Sequence, residues 1–355
     1  MAERIAVVIG SPGPVLDAVS AELSAGGLLV HPVTSPMAGR DAPAPAPPLP
    51  GRAELLVHLG ARTSRELDEA QRTAIEVGAA RAAAELARAL RVSRLVHVSS
   101  TAVYGRPRNL PCREGEVKAP RTAQERIRWR AEQESWSAFR RGAPLAVLRP
   151  ALLYGPAVRG GPVRTLALVS LFHHGRRRVP IIRRGPVAHL LHVADLARAV
   201  AHVALYPSDR AVVGHAFNVA DEAPLPLAEH LAAALTSLGF EPGRVLPSWP
   251  RLAAALLWLF RNVPDRVLLS ALNRRLRRRW DALRAQTGVS DQLAPRVDRE
   301  VLHWMSTDHY YDTGRLAALG WRASYPVATA AFPETIRALV ADRFLPDPGF
   351  PAAAP

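Results

Sequence analysis

The chain has 355 residues, 48% hydrophobic and 22% charged, enough to bury a substantial core, alone or with a smaller attached domain; disorder and low complexity are excluded as its general state. Its formal net charge of +15 comes from arginine, because Lys118 is the one lysine, and such an excess favours acidic partners. Cys112 is the single cysteine, which excludes an internal disulfide and a cysteine-based metal site and is compatible with a reducing cytoplasm.

Residues 5–9 are a short apolar run ending at Gly10, and Val15, Leu16, Val19 and Leu23 follow at helical spacing: strand, turn, helix. No basic leader with a long apolar segment opens the chain, so no secretory signal is expected. Residues 28–33 predict a second strand, and residues 41–51, nearly all Ala and Pro, a loop. Further strands are expected at 55–59, 95–98 and 145–148, with a long Ala-rich helix over about 73–90. Strands alternating with helices imply an α/β fold, a Rossmann-like doubly wound parallel sheet whose ligands bind at the carboxyl ends of the strands. Residues 1–150 carry this domain. Residues 151–355 are expected to form a smaller, mostly helical substrate region partly interleaved with it, with helices near 193–205 and 227–238 and two apolar-basic helices between 251 and 284, parted by Pro264. In the second of these, Leu269, Leu272, Leu276, Trp280 and Leu283 are expected to share one face. The longest apolar run, 252–260, is too short to span a bilayer.

Gly10-Ser-Pro-Gly13 stands where a dinucleotide-binding fold places its glycine-rich turn, with Leu16 where a third glycine would allow close helix packing. Leu56-Val-His-Leu-Gly-Ala61, Val96-His-Val-Ser-Ser-Thr-Ala-Val-Tyr-Gly105, Leu148-Arg-Pro-Ala-Leu-Leu-Tyr-Gly-Pro156, His192-Val-Ala-Asp195, Phe217-Asn-Val219 and Asp312-Thr-Gly314 to Leu319-Gly-Trp321 follow in order. Together these segments resemble the extended short-chain dehydrogenase/reductase family, also called the NAD-dependent epimerase/dehydratase family, over nearly the whole chain. Residues 251–284 are similar in placement and character to the helices that cover a lipophilic substrate in its hydroxysteroid-dehydrogenase-like branch.

The resemblance implies NAD(P), held by Gly10, Ser11 and Gly13, a catalytic serine at Ser100, and a tyrosine with a lysine four residues later on one helix. Residues i and i+4 share a helical face, so the ammonium can lower the phenol pKa and hold the nicotinamide ribose. Here Gln124 stands at the tyrosine position and Arg128 at the lysine position. No other register restores the pair, since Glu114 stands four residues before Lys118. A glutamine amide transfers no proton near neutral pH, and a guanidinium replaces an ammonium only as a charge. About 20 residues lie between the second strand and Leu55, too few for a third strand and its crossover helix; Asp41 is the one acid there that could contact an adenosine ribose. Leu16, Gln124 and this missing strand point together to weakened or absent NAD(P) binding.

Tyr154 is the alternative proton donor, or else a packing tyrosine before a Gly-Pro turn. His173 and His174 have no partner carboxylate at metal-ligand spacing, so no metal site is expected, and His189 and His192 read as structural. Three readings stay open: an enzyme acting on a lipophilic small molecule by cyclisation, dehydration or isomerisation; an NAD(P)-dependent oxidoreductase or epimerase using Tyr154 and Arg128; and a non-catalytic binding or scaffold protein. Arginines 176–178, 183–184, 274–275 and 277–279 are solvated faces, or they meet an acidic carrier protein or an anionic membrane surface, which would make a cytoplasmic protein membrane-peripheral. No nucleic-acid-binding signature accompanies the charge, and a homodimer is compatible with it.

Overall fold

The computed structural model describes residues 3–34, 49–61, 67–160, 162–182, 185–246, 269–297 and 306–348. In chain order the elements used below are β1 (Ile5–Gly10), α1 (Pro14–Ala25), β2 (Leu29–Thr34), β3 (Leu55–His58), α2 (Glu69–Ala89), β4 (Arg94–Val98), α3 (Ala123–Arg140), β5 (Leu145–Pro150), α4 (Pro162–His173), α5 (Val193–Leu205), β6 (Ala216–Val219), α6 (Leu227–Ser237), α7 (Ser270–Thr287) and α8 (Ala328–Ala341).

The chain divides into two compact units. The first comprises Met1–Ala151, Leu191–Ala220 and Tyr311–Ser324. Its six strands pair in the order β6-β5-β4-β3-β1-β2, all parallel. Every residue of β3, β4, β5 and β6 is buried, because helices cover both faces of a doubly wound sheet: α2 packs with α3, and α1 with α5. β2 differs: it is half-exposed, tolerates Pro32, and is the sheet edge among the described residues. Residues 35–48, which include Asp41, lie outside them.

Two helices start on reciprocal caps. The Asp68 carboxylate accepts from Gln71 N at 2.7 Å and Gln71 Oε1 from Asp68 N at 3.1 Å, so α2 begins four residues before the apolar pattern alone predicts. Thr122 and Glu125 do the same for α3. Ala80, Ala83, Ala84 and Ala87 form the buried stripe of α2, small enough for close packing.

A buried polar network ties this unit together. Arg149 is bidentate to Glu132 at 2.6 and 3.1 Å, and Glu132 also accepts from Ser99 Oγ and Trp136 Nε1. Arg149 further donates to the Tyr104 hydroxyl at 2.8 Å, and Tyr104 donates to Asn218 Oδ1 at 2.6 Å. Paired charges with satisfied hydrogen bonds are the form in which ions survive burial.

The second unit, Leu152–Leu190, Asp221–Tyr310 and Tyr325–Pro355, is built from α4, α6, α7 and α8 around Leu235, Phe240, Trp280, Leu283, Phe332 and Leu339. A parallel pair, Arg178–Ile182 with Glu241–Leu246, completes it. On the predicted apolar face of α7, Leu269, Leu276, Trp280 and Leu283 are buried, while Leu272, on the same side by the helical repeat but in the first turn of the helix, is 39% exposed. The first of the two apolar-basic helices lies outside the described residues.

Candidate active site

From β1 the chain moves outward to β2 and then returns to β3 on the other side of β1, which puts the switch point between the carboxyl ends of β1 and β3. Gly10, Ser11 and Gly13 stand there, with Gly10 packed against Leu59. Gly13 has φ 142° and ψ −175°, a conformation open to glycine, and caps α1 without a side chain. A Cβ at Gly10 would lie 3.1 Å from both Cβ and Cδ1 of Leu59, so packing between β1 and the end of β3 alone accounts for this glycine. Ser11 is half-buried in the turn.

The neighbours of these glycines are what sequence reasoning passed over. Pro14 occupies the first turn of α1 and Pro12 the bend before it. Anions bind helix N-termini through backbone N–H groups, and proline has none. Leu16 is buried with Val19 and Leu23 on the core side of α1, filling the space that a third glycine would leave.

Ser100 follows β4 and caps the 3-10 turn Thr101–Tyr104, its Oγ accepting from Ala102 N at 3.1 Å. That bond uses a lone pair and leaves the hydroxyl proton to be donated elsewhere. α3 packs against this turn. Gln124 is the second residue of α3 and half-buried; Arg128 lies one turn further along. Arg128 Nη1 is 3.1 Å from Glu76 Oε2 on α2; Glu76 is 2% exposed and the arginine side chain 25%. Gly60, at φ +77°, lies directly under this ion pair, and a Cβ added there would come 2.7 Å from Arg128 Nη1. The sequence does carry a signal for Glu76: it falls four residues before Ala80 on the Ala stripe, and an acid on an apolar stripe needs a cation.

Nearby lie two buried histidines, also missed. His58 and His97 are in register on β3 and β4, with Nδ1 atoms 2.9 Å apart and rings stacked at 5.0 Å. Burial, then the Arg128 charge, pushes His97 down to about 3. Burial, His97 and Arg128 hold His58 well below the usual imidazole range. Both are therefore neutral at pH 7, one donating to the other.

Tyr154 belongs to the second unit, where it is 1% exposed in the apolar cluster, its ring edge-on to Phe332 at 5.5 Å. Burial, with a smaller effect of His230, lowers His189 to about 4, and burial followed by Arg176 lowers His173. His192 caps α5, accepting from Ala194 N. Among the described residues no three His, Cys, Asp or Glu side chains gather as metal ligands.

A parallel, doubly wound sheet with a glycine turn after its first strand and a serine-bearing turn after the fourth defines a Rossmann-type protein of the short-chain dehydrogenase/reductase kind. Residues 50–220 match the model of the NAD dependent epimerase/dehydratase family. The match begins downstream of the glycine turn. Solved structures of similar fold include UDP-galactose 4-epimerase, at 16% identity and TM-score 0.64 over 95% of this chain and 99% of that one. WbmG of Bordetella bronchiseptica in complex with NAD and UDP is similar at 16% identity and TM-score 0.66 over 100% of both chains. UDP-glucose 4-epimerase of Thermotoga maritima with UDP-glucose matches at 15% identity and TM-score 0.63, over 95% of this chain and 99% of that one. No curated protein matches the chain.

Proposed function

We propose that this protein is an epimerase/dehydratase-family member that has lost nicotinamide-dependent hydride transfer and acts on a lipophilic organic molecule by non-redox chemistry: cyclisation, dehydration or isomerisation. The observation that carries the reading is the Arg128–Glu76 ion pair over Gly60, one helical turn from Gln124. In the family pattern that helix supplies a phenol and an ammonium; here its first turn offers an amide, and its cation is neutralised by a buried acid. The residues present do not fit a dinucleotide held in the family's manner. Pro12 and Pro14 remove phosphate donors, Leu16 fills the helix-packing gap, and no described strand lies beyond β2 to carry adenosine contacts.

What the site retains is a pair of hydrogen-bonding groups. Ser100 can donate its hydroxyl proton, and the Gln124 amide can donate or accept, a set suited to orienting a carbonyl or hydroxyl oxygen while transferring no hydride. The similarity of residues 251–284 to lipophilic-substrate helices supports the substrate class. Tyr154, packed in an apolar core, does not support the reading that makes it the replacement proton donor.

Isothermal titration with NAD+, NADH, NADP+ and NADPH tests the loss of the cofactor: no heat at millimolar nucleotide is expected, and micromolar binding of any of the four overturns the proposal. A thermal-shift screen of hydrophobic ketones and alcohols against wild type and Ser100→Ala/Gln124→Ala tests the ligand class. Stabilisation confined to wild type is the expected result.

A further inference from the structure

In the second unit, the side chains around α7 divide sharply by their partners. Leu276, Trp280 and Leu283 face the core. On one flank the cations are neutralised: Arg277 pairs with Asp281 and Asp291, and Arg284 reaches the same two acids. On the remaining arc, opposite the core, lie Arg274, Arg275 and Arg278, all exposed and with no acidic partner among the described residues. Asp281 is the one acid in the helix and belongs to the neutralised flank.

Where this bare arc meets the core face, exposed apolar groups lie that a merely solvated face does not need. Leu272, Arg275 and Arg279 follow one another at three- and four-residue spacing along one edge. Arg279 lies over the ring of Phe172, at the end of α4, with its guanidinium carbon 5.4 Å from the centroid. Phe172 is 43% exposed and Leu272 39%, two of the few large apolar side chains so exposed among the described residues. Arg176 and Arg177 follow α4 directly.

We propose that this face of the second unit, Arg274, Arg275, Arg278 and Arg279 with Phe172 and Leu272, docks on the surface of an anionic lipid bilayer. Guanidinium groups pair with phosphodiesters, and an exposed aromatic ring and an exposed leucine suit the headgroup–acyl boundary, where each side chain can enter without the helix leaving its core contacts. Charge complementarity selects a negative surface, and the exposed Phe172 and Leu272 select lipid over an acidic protein surface, against which two isolated apolar tips would have no matching pocket. The binding is peripheral: no described helix is long and apolar enough to cross a membrane.

The test is co-sedimentation of the full chain with vesicles of phosphatidylcholine alone or with phosphatidylglycerol added. Binding to the anionic vesicles alone, weakened by salt, is expected. Arg274→Gln/Arg275→Gln/Arg278→Gln should lower the partition coefficient roughly a hundredfold, since each basic residue near such a surface contributes about a factor of five. Phe172→Ser/Leu272→Ser should weaken the salt-resistant fraction. These residues are on the surface, so circular dichroism should show both variants folded. No binding to anionic vesicles at low salt, or unchanged binding by the triple variant, overturns the proposal; so does capture by an acidic carrier protein without vesicle binding. All three outcomes are independent of the nucleotide titrations.

Discussion

Arg128→Met removes the cation over Gly60 and leaves Glu76 buried without its partner. Exposed ion pairs contribute about 0–1 kcal/mol, whereas breaking a fully buried one costs about 3–5 kcal/mol. Glu76 is at the buried extreme, but a quarter of the Arg128 side chain reaches solvent, so water screens part of the interaction. The expected loss is about 2–3 kcal/mol, read as a lower midpoint in urea at unchanged slope. Glu76→Gln in the same background removes the stranded charge, and the double variant should regain more than half of that loss. The double-mutant cycle should return a coupling of roughly 1.5 kcal/mol or more. If Arg128→Met unfolds within about 0.5 kcal/mol of wild type and the coupling vanishes, the pair is not a structural lock. Arg128 would then be available to a ligand, and the reading of a neutralised catalytic helix fails.

Three further outcomes follow from buried groups. Leu16→Gly should destabilise by about 3–4 kcal/mol through the cavity and the added backbone freedom, and should leave NADH fluorescence unchanged because Pro14 remains; micromolar NADH binding would refute this. His97 is lowered to about 3, so between that value and about 6.5 the unfolded chain binds a proton that the native chain does not. Stability therefore falls as pH drops below about 6.5, and His97→Gln should flatten the slope between pH 6 and 4.5 by about 1.4 kcal/mol per pH unit, measured by urea titration. The Cys112 thiol is buried and pushed up to about 12, first by desolvation and then by Glu116, so iodoacetamide at pH 8 should modify it only after unfolding. Rapid labelling of the native chain would contradict that placement.

The alternation of apolar strands with helical periodicity was enough to predict the parallel sheet, because strands buried on both faces read as continuous apolar runs and crossover helices must repeat every three to four residues. The lone lysine was also decisive without coordinates: no folding can supply a second ammonium. That the chain holds no tyrosine four residues before a lysine is therefore a fact of its sequence, and the resemblance puts Gln124 and Arg128 at those positions. Its consequence was not legible. Which way Arg128 turns depends on an acid 52 residues away, and Glu76 meets it because α2 packs with α3. The same holds for His58 and His97, whose meeting is set by the register of β3 on β4. Tyr154 shows the limit from the other side, since its residue type suggests chemistry and its neighbours make it core. Residue identity thus determined which groups the site lacks. Only the tertiary structure decided what the remaining groups face, because side-chain pairing across distant segments is set by packing geometry that no local pattern encodes.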